Sequence, residues 1–196
     1  RCCAARDGLV VEAGANFGWY TLLSRSLGCA VVAAERVHAC QDALRLAVSL
    51  NGESFRRRLT VYGSAVFDVP GTYRMVVPQA GTARARNRSE VPHVTLKSHM
   101  RTFLGMAAMV GYPKQDAVKD VQKFLPGSRT YTEEVEAVRI DAVVDRAVCM
   151  LKIDIEGLEP QGLRSADALL SRAENVQLEV TRKSSQACEM LRMLRD

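Results

Sequence analysis

A short apolar run that leads directly into a glycine-containing turn is the feature that most constrains this chain. Leu9 to Val11 is wholly apolar, as is typical of a parallel strand that is buried on both faces. The turn that follows contains Glu12, Gly14, Asn16 and Gly18, and apolar residues then recur at helical spacing. This order of strand, glycine turn and helix predicts the first part of a βαβ unit.

The same pattern repeats along the first third of the chain and returns near its end. Ala30 to Ala34 is a second apolar run, Val37 to Leu50 has helical spacing, and Leu59 to Tyr62 reads as a third strand. Val148 to Ile155 and Val176 to Val180 predict two further strands. Repeated strands and helices favour a Rossmann-like α/β fold, with a mostly parallel central sheet and helices on both faces.

The length of 196 residues fits one domain, residues 1–196. Residues 80–130 form an irregular insertion after the third core strand, for which Met100 to Leu125 suggests a loosely helical stretch. Val138 to Ile140 is predicted as a strand. The chain opens on Arg1, so we expect a domain that is truncated at one end or both.

Composition excludes some classes of protein. No apolar run reaches 18 residues, so no membrane span is expected, and a soluble, cytoplasmic domain is the default. The net charge of +5 permits an acidic partner but does not require one, and a solvated surface is the favoured explanation. The six cysteines contain no C-x-x-C pair, so we predict no metal site, and Cys29, Cys40 and Cys149 are interpreted as small core residues.

The glycine turn suggests a ligand site. Glycine allows a sharp turn and lets a ligand approach without meeting a Cβ atom, and the helix beyond it supplies free N–H groups. The acid at Glu12 suits a ligand that carries an ammonium group better than a pyrophosphate, which points to an amino-acid-bearing nucleoside rather than NAD. The alternative is a plain connecting loop.

Two further acidic positions support a site at the ends of the strands. Glu35 ends the second strand, where a carboxylate can accept hydrogen bonds from both ribose hydroxyls; the alternative is an ordinary Glu before a helix. Lys152, Asp154 and Glu156 alternate at the carboxyl end of a buried strand and are expected on one face. Their alternative interpretation is an ion pair that only orders the strand end.

These segments together resemble the FkbM family of class I methyltransferases. The family combines a D-x-G-A-N-x-G-like turn with a later K-x-D-x-E-G strand end, and residues 8–70 and 135–182 match it. Glu12 stands in place of the usual Asp, and the segment from Pro78 to Thr130 does not match. The final antiparallel strand pair of class I methyltransferases is not visible.

The resemblance implies a Rossmann-like class I methyltransferase fold that binds S-adenosylmethionine. Glu12 and Gly14 would flank its methionine part, and Asn16 and Gly18 would shape the turn beneath it. Glu35 would hold the ribose.

The resemblance also implies the rest of the site. Ser64 and Ala65 would approach the adenine. Asp154, and after it Glu156, would be the base beside the transferred methyl group, with Lys152 tuning either one. The expected reaction is O-methylation of a hydroxyl on a small molecule or sugar.

Two alternatives from other classes remain open. The basic pI and the Arg84-Arg86-Arg88 cluster suggest an RNA methyltransferase, but no N-P-P-Y-like or Pro-Cys motif and no interleaved aromatic residues support it, so a nucleic-acid partner is not expected. The other is a non-catalytic scaffold that serves a protein partner. The acceptor contacts are expected in the insertion, near His93, His99 and Tyr112, although each of these also fits a surface or packing role. The sequence indicates no oligomeric state.

Overall fold

Strands and helices alternate along most of the described chain. The computed structural model describes residues 3, 8–78, 108–110, 129–180 and 184–195. Strands β1 to β9 span, in order, Leu9–Ala13, Ala30–Ala34, Leu59–Tyr62, Ala65–Val66, Gly71–Pro78, Ala108–Val110, Thr130–Val138, Met150–Ile153 and Val176–Leu178. Helices α1 to α7 span, in order, Trp19–Ser26, His38–Leu50, Glu53–Arg56, Ile140–Val143, Glu159–Ser165, Asp167–Leu170 and Ser184–Met193.

The central sheet has the order β3-β2-β1-β8-β9, and all of its strand pairs are parallel. All five residues of β1, at its centre, are buried. The chain builds outward from β1 in one direction and then returns to build from β8 in the other. In open α/β sheets such a reversal opens a crevice at the carboxyl ends of the strands, and ligands bind there. The predicted α/β class is therefore confirmed.

Helices cover both faces of this sheet because side chains along each strand alternate between the faces. On one face Val10 and Val31 belong to an apolar cluster with Leu44 of α2. On the other face Val11 belongs to a cluster with Leu163 of α5. The predicted arrangement of helices on both faces is confirmed.

The chain divides into two compact units. The first comprises Arg1–Gly71 and Glu136–Asp196 and contains the parallel sheet, and in it β4 pairs with the end of β7. The second, Thr72–Val135, contains most of β5, which pairs antiparallel with β6. The loosely helical stretch predicted around Met100 to Leu125 is wrong at Ala108–Val110, which is a strand; its other residues lie outside the described part of the chain.

The strand predicted at Val138 to Ile140 is also wrong. Strand β7 ends at Val138, and Ile140 begins the short helix α4. The guanidinium of Arg139 makes two hydrogen bonds to the Asp141 carboxylate, at 2.9 and 2.6 Å, and donates to the carbonyl oxygens of Asp68 and Arg164. These contacts turn the chain at Arg139 and favour a helical turn over a longer strand.

Cys29 and Cys149 are buried in the core, as the sequence predicts, but both take part in disulfides. Cys29 forms a disulfide with Cys3, and Cys149 is also disulfide-bonded. Both lie immediately before strands of the central sheet, at the edge opposite the carboxyl ends. Cys40 is free and buried, as predicted. Among the described residues, no helix combines the length and apolar character that crossing a membrane requires.

Candidate active site

The glycine turn after β1 is packed against the end of β8. The N–H groups of Gly14 and Ala15 both donate to the Ala34 carbonyl, at 2.9 and 3.1 Å. Gly14 has φ +80°, and a Cβ atom added to it would lie 2.9 Å from the carbonyl carbon of Asp154 and closer still to the oxygen. Only glycine therefore fits this position, and its absence of a side chain brings the two predicted motifs together.

The rest of the turn is held in a left-handed conformation by neighbouring elements. Asn16 has φ +53°, and its N–H donates to Glu35 Oε2 at 2.7 Å. Gly18 has φ +84°, and a Cβ atom there would lie 3.3 Å from Leu44 Cγ and closer to Cδ1. These contacts fix the path of the backbone from β1 into α1.

Glu35 lies at the end of β2, as predicted, and is 6% exposed. Its Oε1 accepts a hydrogen bond from the Val37 N–H at 2.8 Å, and its Oε2 accepts from Asn16. A carboxylate oxygen has two lone pairs, so each oxygen retains one that can accept a hydroxyl. Glu35 thus supports the turn and still has capacity to bind a ligand.

Lys152 links two carboxylates at the centre of the sheet edge. Its Nζ lies 3.1 Å from Asp154 Oδ2 and 3.6 Å from Glu12 Oε1, and 4.8 Å from the centre of the Tyr20 ring. Glu12 and Lys152 are directly opposite each other on β1 and β8. The expected grouping of Lys152 with Asp154 is thus present, with Glu12 as a further member.

Glu12 is more deeply buried than its predicted role beside the methionine part of the cofactor requires. It is 2% exposed, and its Oε2 accepts a hydrogen bond from the Thr21 hydroxyl at 2.6 Å. Burial raises the pKa of Glu12 to about 7, although Lys152 and Thr21 act in the opposite direction. A ligand ammonium that approached Glu12 would have to share it with these partners, so direct cofactor contact stays a prediction.

The segment after β8 is shaped by an acid that the sequence did not single out. Glu156 has φ +59° and Gly157 has φ +95°, so the chain turns sharply here. Glu159 Oε1 accepts hydrogen bonds from the N–H groups of Ile155 and Gly157, at 3.1 and 3.0 Å. Gln186 of α7 donates to the Gly157 carbonyl at 3.3 Å. The sequence feature that could have identified Glu159 is its position just after the turn at Gly157.

Glu179 is a second acid missing from the predicted site. It follows β9, and its N–H donates to the Ile153 carbonyl at 3.1 Å. Its pKa is raised to about 7, chiefly by hydrogen bonding with the Asp154 carboxyl group. Oxygens of Asp154, Glu156 and Glu179 lie within 4.8 Å of one another. Metals can bind converging carboxylates, but the Lys152 ammonium already supplies positive charge beside Asp154, and we assign no metal ligand among the described residues.

Ser64 and Ala65 follow β3 on the other side of the crevice. Ser64 is half-buried, whereas Ala65 is 3% exposed and begins β4. Gln41 of α2, which no sequence motif marked, lies close to Gly63: a Cβ atom there would be 2.8 Å from Gln41 Oε1. Gln41 is 2% exposed, and its Nε2 has no hydrogen-bond partner among the described residues.

Several residues expected to contact the acceptor or a nucleic acid lie outside the described part of the chain. They are His93, His99, Tyr112 and the arginines 84, 86 and 88. Their roles stay predictions, and the candidate site rests on residues of the parallel sheet alone.

Comparison with known proteins gives the family. The model of the methyltransferase FkbM domain matches residues 12–196. The crystal structure of methyltransferase FkbM from Methylobacillus flagellatus KT is similar, with a TM-score of 0.59 and 15% sequence identity. The similarity covers 96% of this chain but 37% of that one, so the chain spans well under half the length of that protein. Comparison with curated proteins found no match. Because the family model matches nearly its whole length, the chain belongs to the FkbM methyltransferase family.

Proposed function

We propose that this domain is an S-adenosylmethionine-dependent methyltransferase that methylates a hydroxyl group on a small molecule or sugar. The observation that carries the proposal is the convergence of the Gly14 turn, Glu35 and the Lys152–Asp154 pair at one edge of the sheet, where its strand order reverses. Family membership supports the reaction class.

The residues present fit the cofactor. Glu35 has lone pairs free for the ribose hydroxyls, and the turn from Gly14 to Gly18 lies directly beside it through the Asn16 N–H. The Gln41 amide, close to Gly63 where the base would approach, is a buried donor without a partner in the described part of the chain. A buried unpaired donor is costly, so a ligand acceptor atom would relieve it.

S-adenosylmethionine, when bound, supplies a methyl group on a positively charged sulfur. The protein has to orient the acceptor and accept its proton. Asp154 is placed to accept it, because its side chain is 28% exposed and lies 3.1 Å from the Lys152 ammonium. The Lys152 side chain is 5% exposed, and the ring of Tyr20 lies 4.8 Å from its Nζ.

Calorimetry with S-adenosylmethionine and S-adenosylhomocysteine tests cofactor binding. We expect both to bind, and we expect Glu35→Gln to weaken binding tenfold to a hundredfold, since a hydrogen bond to a charged group is worth about 1.5–3 kcal/mol. Glu53→Gln is the matched control, because Glu53 is exposed on α3 and pairs with Arg56. Absence of binding to either compound would contradict the proposal and favour a scaffold.

Release of S-adenosylhomocysteine in the presence of a panel of sugars and small hydroxyl compounds tests the reaction. Asp154→Asn should keep cofactor binding and lower turnover by about 100-fold or more, as expected for loss of a general base. Full turnover in that variant would remove Asp154 from its assigned role.

A further inference from the structure

Asp154 and Glu179 leave neighbouring strands at the same point of the sheet edge. Ile153 lies opposite Leu178 in the parallel pair β8–β9, and the hydrogen bond from Glu179 N–H to the Ile153 carbonyl extends this ladder by one residue. Carboxyl oxygens of Asp154 and Glu179 thereby lie within 4.8 Å of each other, close enough for one group, when protonated, to donate to the other.

A hydrogen bond between two carboxyl groups requires a proton on one of them, since an ionised carboxylate only accepts. The Lys152 ammonium stands 3.1 Å from Asp154 Oδ2. Glu179 faces the negative charges of Asp154, Glu156 and Glu159. The hydrogen bond to Asp154, then burial and then this repulsion raise the pKa of Glu179 to about 7. The proton therefore resides on Glu179.

We propose that Asp154 and Glu179 share one proton and act together as the base that receives the proton of the hydroxyl acceptor, a role that rests on the methyltransferase function proposed above. At pH 7, near the pKa of Glu179, part of the population is doubly ionised, and this form takes up the acceptor's proton, which then resides on Glu179. A lone carboxylate with an ordinary pKa would hold that proton only weakly.

The acceptor hydroxyl gives its proton to the pair, and an electron pair of its oxygen forms the new bond to the methyl carbon. The bond from that carbon to sulfur breaks, and its electrons stay on sulfur, which becomes neutral. Glu179 is exposed, so the pair returns the proton to solvent through this residue.

Carbon-13 NMR of the full chain, labelled at the carboxyl groups of Asp and Glu, tests proton sharing without any acceptor or cofactor. Glu179→Gln assigns the signal, and Glu174→Gln, which changes an exposed acid before β9, is the control that should leave it in place. We expect the Glu179 signal to titrate near pH 7, and Asp154→Asn to move its midpoint to lower pH. A wild-type midpoint near the ordinary 4.5 overturns the proposal, as does a midpoint unchanged by Asp154→Asn.

Two further measurements distinguish proton sharing from a cation site and from failure of the proposed function. If 5 mM Ca²⁺ abolishes the titration and binds stoichiometrically, the cluster is a cation site and proton sharing is overturned; an unchanged titration supports it. If the wild-type protein binds no cofactor, the proposed function is refuted, whereas the titration still decides whether the two carboxyl groups share a proton.

Once an acceptor is identified, turnover measured as a function of pH tests the catalytic role of the Asp154–Glu179 pair. Glu179→Gln should lower kcat by about 10- to 100-fold with KM little changed, and should shift the acidic limb of the pH profile. Glu179→Asp should restore part of the rate. A purely structural role for Glu179 would leave the pH profile where it is, which overturns its part in catalysis.

Discussion

Replacing Gly14 with alanine would test whether the two halves of the site are held together by backbone contact. A non-glycine residue in the left-handed region loses about 1–2 kcal/mol. The added Cβ would also meet the Asp154 carbonyl group, which belongs to the main chain and cannot rotate away. Overpacking of this kind costs about 1–3 kcal/mol. The expected loss in the free energy of unfolding is therefore about 2–5 kcal/mol.

Gly28 provides the matched control. It has φ +91°, and among the described residues a Cβ atom there would meet only the Cys3 carbonyl, at an ordinary 3.6 Å. Gly28→Ala should therefore show the conformational loss alone, about 1–2 kcal/mol. Urea denaturation of both variants gives the difference. Equal losses would mean that the turn can move away from Asp154, and the close approach would then not hold the site together.

Three other changes have defined outcomes. Gln41→Met should raise the free energy of unfolding by about 1 kcal/mol, because a buried unpaired amide is removed, yet weaken cofactor binding in calorimetry. Glu12 keeps its proton up to about pH 7 in the folded state but loses it near pH 4.5 in the unfolded state. The free energy of unfolding should therefore fall as the pH rises from about 4.5 to about 7. Glu12→Gln should reduce this fall when denaturation is measured at several pH values. Cys3→Ser should lower the free energy of unfolding by about 3 kcal/mol, since the disulfide spans 26 residues, whereas Cys188→Ser, at an exposed free thiol, should not.

The parts of the fold that sequence predicts are those whose signal is local. The apolar run of β1 ends in a turn whose glycines have positive φ, so the sequence pattern by itself predicts both the strand and the turn. Glu35 could be placed because it follows directly on an apolar strand. Lys152 and Asp154 alternate on one strand, and their contact follows from the period of two residues.

The parts that sequence missed depend on residues brought together from distant positions. The turn at Arg139 is decided by the Asp68 carbonyl, 71 residues away, and not by the apolar neighbours that suggested a strand. Glu179 meets Asp154 only because β9 pairs with β8. The pairing of Cys29 with Cys3 likewise follows from their proximity in the fold. Disulfides are typical of oxidising compartments, and a cytoplasmic location stays a prediction.

The Lys152 ammonium lies near two carboxyl groups at the centre of the site, and the burial of one of them, Glu12, affects its contact with the other. Lys152 lies between Glu12 and Asp154, at 3.6 and 3.1 Å. Burial raises the pKa of Glu12 to about 7, so below that pH Glu12 adds no negative charge beside Lys152. Ionisation of Glu12 would place a second carboxylate charge on the same ammonium. The burial of Glu12 therefore favours the contact between Lys152 and Asp154 at and below neutral pH.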